Sequence, residues 1–233
     1  MSLLSVRTIL ASALITASCF ISFQTVAGGI VLGGTRIIYG IDQKQASISV
    51  KNSSDSSRYM VQSWIEDANE KKSNDFIVTP PLYVSNPGTE NSLRLMYAGP
   101  ELRKDRETLF YLTANAIPSV DRDANKGKNV LLLSAATKIK VFVRPTGLLP
   151  EIEKAPEMLS FARSGTQVMV SNPTPYYITM VGIKVGDKAL ESVMVAPKDS
   201  ATFKIPTGKF NEISYRTMND YGGMTKELMK KLN

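Results

Sequence analysis

Read for alternation, the chain divides into short apolar bursts of period two, separated by polar turns, with few helical periods. Ile30–Tyr39, Ala46–Lys51, Tyr59–Ile65, Phe76–Val78, Ser92–Tyr97, Glu107–Ala116 and Val130–Val143 predict strands. Asn52-Ser53-Ser54-Asp55, Ser85-Asn86-Pro87-Gly88 and Asn125-Lys126-Gly127-Lys128 stand between them as turn chemistry. Seven such strands in about 115 residues predict an immunoglobulin-like sandwich, with Trp64 expected in its core beside Val61 and Ile65. Thr146–Pro156 is a proline-bearing stretch that reads as a connector. Beyond it, Leu159–Arg163, Thr166–Ser171, Tyr176–Val185, Ser192–Val195, Ala201–Ile205 and Ile213–Met218 predict a second set of strands, while Met224–Leu232 fits either a frayed helix or a strand. The expected organisation is a removable segment 1–27, a sandwich over 28–145, a linker over 146–156 and a second sandwich over 157–233.

Asn129–Pro145, NVLLLSAATKIKVFVRP, departs from the half-buried pattern because it is apolar on both faces. Val130, Leu132 and Ser134 point one way; Leu131, Leu133 and Ala135 point the other. An antiparallel sheet needs only one apolar face, so the second requires a cover, either from this chain or from another protein. Lys140 is read in the register of Leu131, Leu133 and Ala135, at the far end of their face. An apolar row ending in a cation suggests a dock for an extended segment with a negative end. Cover by the chain's own loops remains the alternative.

Composition narrows the chemistry. The first segment carries one basic residue, Arg7, then an apolar run from Ile9 to about Phe23, and closes on Thr25-Val26-Ala27. That pattern predicts an export signal cleaved after Ala27 or Gly28. The only cysteine, Cys19, lies inside it, so the expected mature chain has neither disulfide nor thiol. Loss of Arg7 changes the net charge from +7 to +6, which favours solubility and sets no partner by itself. Histidine is absent, which removes imidazole-based triads, the commonest general base and most zinc sites. No glycine-rich phosphate loop precedes a helix, and no carboxylate pair stands out by spacing. The chain is therefore not read as an enzyme, and neither a cofactor nor a metal is expected. Its basic residues are dispersed without interleaved aromatics, against nucleic-acid binding, and no stable membrane insertion is expected once the signal is removed.

Seven blocks, in order, resemble the periplasmic chaperones of the chaperone–usher pathway, especially those serving type 1-like fimbriae. They are GTRIIY at 34–39, VQSWIED at 61–67, FIVTPPLYV at 76–84, DRETLFYLTANAIPSV at 105–120, NVLLLSAATKIKVFVRP at 129–145, SNPTPYYIT at 171–179 and YRTMNDYGGMT at 215–225. The resemblance implies an all-β protein of two tandem immunoglobulin-like β-sandwich domains in an L or boomerang arrangement, residing in the periplasm. It implies fimbrial subunits and an outer-membrane usher as partners, with the chaperone lending an edge strand to an incomplete subunit fold. Strand donation of this kind is among the established cases of strand addition.

Leu131, Leu133 and Ala135 match the family's donor positions, although relatives usually carry a larger aliphatic residue where Ala135 stands. Arg36 and Lys140 match its basic pair, implied to hold the subunit's C-terminal carboxylate; ordinary solvated strand cations are the alternative, and Lys138 is read as one. Glu107, Arg144 and Asp220 match an ionic cluster between the domains, given a structural role. Thr113 stands where relatives commonly carry Asn, and Ser119–Lys128 resembles the loop of the short-loop subclass. A structural fimbrial subunit or another exported binding module is the rival function. Subunits of this pathway are typically single domains with a disulfide, unlike this chain.

Overall fold

The computed structural model describes residues 28–119, 126, 127, 129 and 131–232. The export segment with Arg7 and Cys19, Val130, and residues 120–125 and 128 of the loop at Ser119–Lys128 lie outside the described residues.

The first domain contains β1 (Ile30–Leu32), β2 (Arg36–Gly40), β3 (Ala46–Asn52), β4 (Tyr59–Glu66), β5 (Lys72–Ser73), β6 (Phe76–Thr79), β7 (Leu82–Ser85), β8 (Glu90–Tyr97), β9 (Thr108–Pro118) and β10 (Ala135–Arg144). One sheet runs β1-β3-β8-β6. The other runs β2-β10-β9-β4, and β4 also carries β5 and β7. Inward residues of the two sheets, among them Val50, Val61, Leu93, Leu95, Leu112 and Val141, form one core. Phe76 packs edge-on against Tyr39 and Phe110 there, with centroids 5.3 and 5.2 Å away, a favoured aromatic geometry.

A 3₁₀ turn (Ala155–Met158) leads into β11 (Ser160–Ser164), β12 (Gln167–Asn172), β13 (Ile178–Val185), β14 (Lys188–Ala189), β15 (Val193–Val195), β16 (Asp199–Lys204), β17 (Glu212–Thr217) and β18 (Leu228–Lys231). Sheets β11-β12-β16 and β14-β13-β17-β18, with β15 beside β13, enclose a separate core around Val168, Val170, Met180, Ile183, Ile213 and Tyr215. Two sandwiches with two cores follow. Within 146–156, Ala155 and Pro156 are buried, and the Tyr176 hydroxyl donates to the carbonyls of Leu148 and Pro150. The connector is thereby anchored on the second domain.

Each sandwich is stapled by a buried asparagine at a strand end. Asn52 donates to the carbonyls of Ser57 and Ser85, and Asn172 to those of Tyr176, Val195 and Ala196. Both satisfy backbone oxygens that the adjoining turns would otherwise bury unpaired.

One open choice is settled and two expectations change. Met224–Leu232 contains a strand, β18, paired with β17. Trp64 is outside the core: in β4 the buried residues Val61, Ser63 and Ile65 alternate inward, so Trp64 faces outward and is only half-buried. The ladder of β10 begins at Ala135, later than Val130. Ala135 pairs with Ala116, while the last two residues of β9, Ile117 and Pro118, pair only with β4; Pro118 has no N–H to donate to a further residue of β10.

Candidate functional site

The site is built on β10, whose two edges are treated differently. One edge pairs with β9 from Ala135 to Val143. The other pairs with β2 only from Lys140 to Arg144, in parallel, beginning at Lys140 opposite Arg36. Residues 135–139 therefore present an edge with no ladder partner among the described residues. Such an edge is a template for another strand.

Side chains on β10 form two rows. Ile139, Val141 and Val143 point into the core, and Ala135 and Thr137 continue that row but are exposed. Leu131 and Leu133 precede the strand and are 83% and 72% exposed, bare to an unusual degree for leucine; the same parity carried back would place them in this row. Lys140 belongs to the other row, with Lys138, Phe142 and Arg144. The expectation that Lys140 ends the leucine face is thus corrected: an even and an odd position on one strand face opposite ways. Ala135, of the leucine row, and Lys140 instead lie on two sides of one strand.

Arg36 and Lys140 meet because β2 and β10 pair in that register. The Arg36 guanidinium lies 5.9 Å from the Phe142 ring centroid and donates a 3.4 Å bond to the Met218 carbonyl, while its buried Nε has no hydrogen-bond partner among the described residues. Lys140 is half-buried, and among the described residues no carboxylate lies within ion-pair distance of its Nζ. Burial, then the neighbouring guanidinium, hold the Lys140 ammonium below its ordinary pKa. Burial also lowers Arg36, with Asp220 and Glu107 pulling the other way. Two desolvated like charges side by side constitute a site that favours an anion.

Lys138, expected to be solvated, is instead paired. Its Nζ lies 2.5 Å from Glu66 Oε2 and 2.8 Å from Glu70 Oε2. Those contacts raise its pKa to about 12. Glu66 is buried and also accepts from Trp64 Nε1 at 2.8 Å and from the Thr113 hydroxyl at 3.3 Å. Its Oε2 has no hydrogen bond of good angle, so Lys138 holds it by charge. Burial opposes the charge on Glu66, but the contacts from Lys138 and Trp64 outweigh it and the carboxyl titrates below its ordinary range. Thr113 thus fills the position expected for Asn with a hydroxyl that reaches a carboxylate.

At the inner end of β10, Arg144 bridges the domains. Its Nε donates to Glu107 Oε1 at 2.7 Å, and its two Nη atoms hold the Asp220 carboxylate at 2.6 and 2.7 Å. Glu107 is buried, and its other oxygen accepts from the Tyr177 backbone N–H at 2.8 Å. Burial nonetheless raises its pKa, against Arg144. Asp220 is carried on a tight turn, Asn219–Gly223, where Gly222 adopts φ 81° and a Cβ would collide with the Thr35 hydroxyl. Lys198 donates to Asp105 at 2.9 Å, a further link between the domains. Between the domains lies a cavity of about 410 Å³ lined by Arg36, Phe142, Arg144, Tyr177, Met218 and Tyr221.

A family profile described as the pili and flagellar-assembly chaperone PapD N-terminal domain matches residues 29–149, and the PapD C-terminal domain profile of pili assembly chaperones matches 154–228. The chain belongs to the pili assembly chaperone family. Among its relatives, the probable fimbrial chaperone SfmC of Escherichia coli K12 is 44% identical over 207 residues, spanning 89% of this chain and 90% of that one. The crystal structure of the periplasmic chaperone SfaE superposes with a TM-score of 0.75 at 39% identity, covering 86% of this chain and 98% of that one. A structure of the Salmonella enterica SafA pilin in complex with the SafB chaperone matches at TM-score 0.79 and 29% identity, over 88% of this chain and 96% of that one. As in those pili chaperones, the fold is all-β with two immunoglobulin-like domains.

Residue reasoning missed Glu66, Glu70 and Tyr177. Tyr177 lies inside the quoted block at 171–179, but nothing local ties its N–H to Glu107. Glu66 had a signal: it shares the outward row of β4 with Trp64, where a carboxylate needs a partner.

Proposed function

We propose that the protein is a non-enzymatic periplasmic chaperone that caps fimbrial subunits by lending them residues 131–139 as a strand, then passes them to an outer-membrane usher. The observation that carries this reading is where the free edge of β10 stops. β2 closes it at Lys140, and the Arg36–Lys140 pair stands at that closure. An incoming strand that pairs along the open edge must end there, and a chain terminus supplies the carboxylate that the pair lacks. Charge-assisted bonds from Arg and Lys to two carboxylate oxygens are the stronger class. They would also set the register, since a slip of one residue turns every side chain to the wrong face.

Leu131 and Leu133 supply the apolar part. Full burial of a leucine contributes about 1.5–3 kcal/mol, so the two together account for a large share of a stable complex. Ala135 and Thr137 offer little volume, so a fitting subunit has its own bulky side chains opposite them. Glu107, Arg144 and Asp220 hold the domains in the orientation that forms the cleft and make no contact with the subunit in this reading.

The test is coexpression with a fimbrial subunit in a bacterial periplasm. The wild-type chain is expected to give an equimolar complex and to protect the subunit from degradation. Arg36→Ala and Lys140→Ala are each expected to abolish recovery of that complex while the chaperone itself remains folded. Unchanged subunit yield with both substitutions would remove the anchor from the mechanism.

A further inference from the structure

Four carboxylates around the Arg36–Lys140 pair, Glu107, Asp220, Glu66 and Glu70, are already held by other cations. Arg144 takes Glu107 and Asp220, and Lys138 takes Glu66 and Glu70. Glu66 is the significant one. The strand registers place Lys140, Tyr111 and Glu66 in one transverse row across β10, β9 and β4, all on the outward face. Two strand spacings separate the lysine and glutamate backbones, about 10 Å. That span lies within the combined reach of the two side chains, with only the Tyr111 ring between them. Glu66 nevertheless turns one position along, toward Lys138, where Trp64 and Thr113 also hold it.

We propose that Lys138 is a positioning residue that keeps Glu66 from neutralising the Arg36–Lys140 pair, so that the pair stays open to a carboxylate from outside. The inference rests on the anchor reading above and adds a new participant to it. Without Lys138, Glu66 is a half-satisfied carboxylate facing a cation with no partner. Whether it swings to Lys140 or only projects its negative potential there, an external carboxylate meets a weaker site. The effect is electrostatic, so removing the charge of Glu66 reverses it.

The experiment uses the mature chain and a peptide copied from the last strand of a fimbrial subunit that coexpresses as a complex with it. The peptide is made with a free C-terminal carboxylate and, separately, with an amide. Binding is measured for wild type, Lys138→Met, Glu66→Gln, the double variant, Lys138→Arg and Lys140→Ala, each with its thermal midpoint. Independently of any ligand, the Lys140 Nζ titration is followed by NMR in lysine-labelled protein.

Lys138→Met is expected to weaken the carboxylate peptide roughly tenfold and to leave the amide peptide unchanged. Its Lys140 titration should move to higher pH. The double variant should recover binding to within about twofold of wild type and return the titration, and Lys138→Arg should retain both. A double variant no better than Lys138→Met, or a Lys140 titration that does not move, overturns the proposal while leaving the anchor intact. If instead the wild type does not distinguish carboxylate from amide and Lys140→Ala binds as well as wild type, the anchor reading itself falls, and the proposal with it.

Discussion

The two halves of β10 have the same alternating backbone and nearly opposite surroundings. From Lys140 to Val143 the strand is paired on both edges, its odd residues are in the core, and the arginine that ends it ties the two domains together. From Ala135 to Ile139 it is paired on one edge only, and ahead of it Leu131 and Leu133 stand in solvent. A single strand thus serves stability at one end and recognition at the other. The boundary falls where β2 joins. Substitutions on the two sides of that boundary should therefore fail in different assays.

The largest effect is expected at the inner end. Arg144→Ala leaves Glu107, only 1% exposed at its side chain, without the cation that balances it, and frees the turn carrying Asp220. Breaking a buried pair by removing one partner costs roughly 3–5 kcal/mol. Chemical denaturation should show that loss, and small-angle scattering should show a broader distribution of interdomain angles. A variant with wild-type stability would mean that Lys198–Asp105 and the connector already suffice to hold the domains.

Leu133→Ala is expected to do the reverse. An exposed leucine contributes little to folding, so stability should stay within about 0.5 kcal/mol of wild type. Subunit affinity should fall by about 1.5–3 kcal/mol, roughly ten- to a hundredfold, because the side chain is buried only in the complex. Loss of both stability and binding in this variant would mean that the leucine is already packed within the free chaperone.

How much of this contrast was legible in the sequence follows from the range of each interaction. Alternation is local, so the strands of both sandwiches and the two-faced character of 129–145 could be read directly. The face of a given residue relative to the core needs an anchored parity. Without one, Lys140 was assigned to the leucine row and Trp64 to the interior. Partners across strands depend on register as well: Lys138 and Glu66 are 72 positions apart, and only the β10-β9-β4 ladder brings them together. The Arg36–Lys140 pair and the Glu107–Arg144–Asp220 group came from family resemblance, because residue types and spacing alone do not distinguish them from surface charges. The ladder of β10 starts at Ala135 although β9 runs two residues beyond Ala116, a boundary that the polar and apolar pattern leaves open.

The smallest effect sharpens the comparison through pH. Each half of β10 holds a carboxylate, Glu66 from β4 at Lys138 and Glu107 from just ahead of β9 at Arg144, and the two are shifted in opposite directions. Glu66 titrates lower in the folded chain than in the unfolded one, so its contribution is present above the unfolded value and is lost as pH falls through the folded one. Glu107 titrates higher when folded, so its linkage favours the fold at low pH and is lost as pH rises through its folded value. Over a series from about pH 6 to about pH 3, Glu66→Gln should therefore flatten the fall in thermal midpoint, and Glu107→Gln should steepen it. Absolute midpoints differ between these variants for other reasons, so the slope is the quantity to compare. Equal slopes for both would mean that the carboxylates share one electrostatic environment and that the division of β10 is one of packing alone.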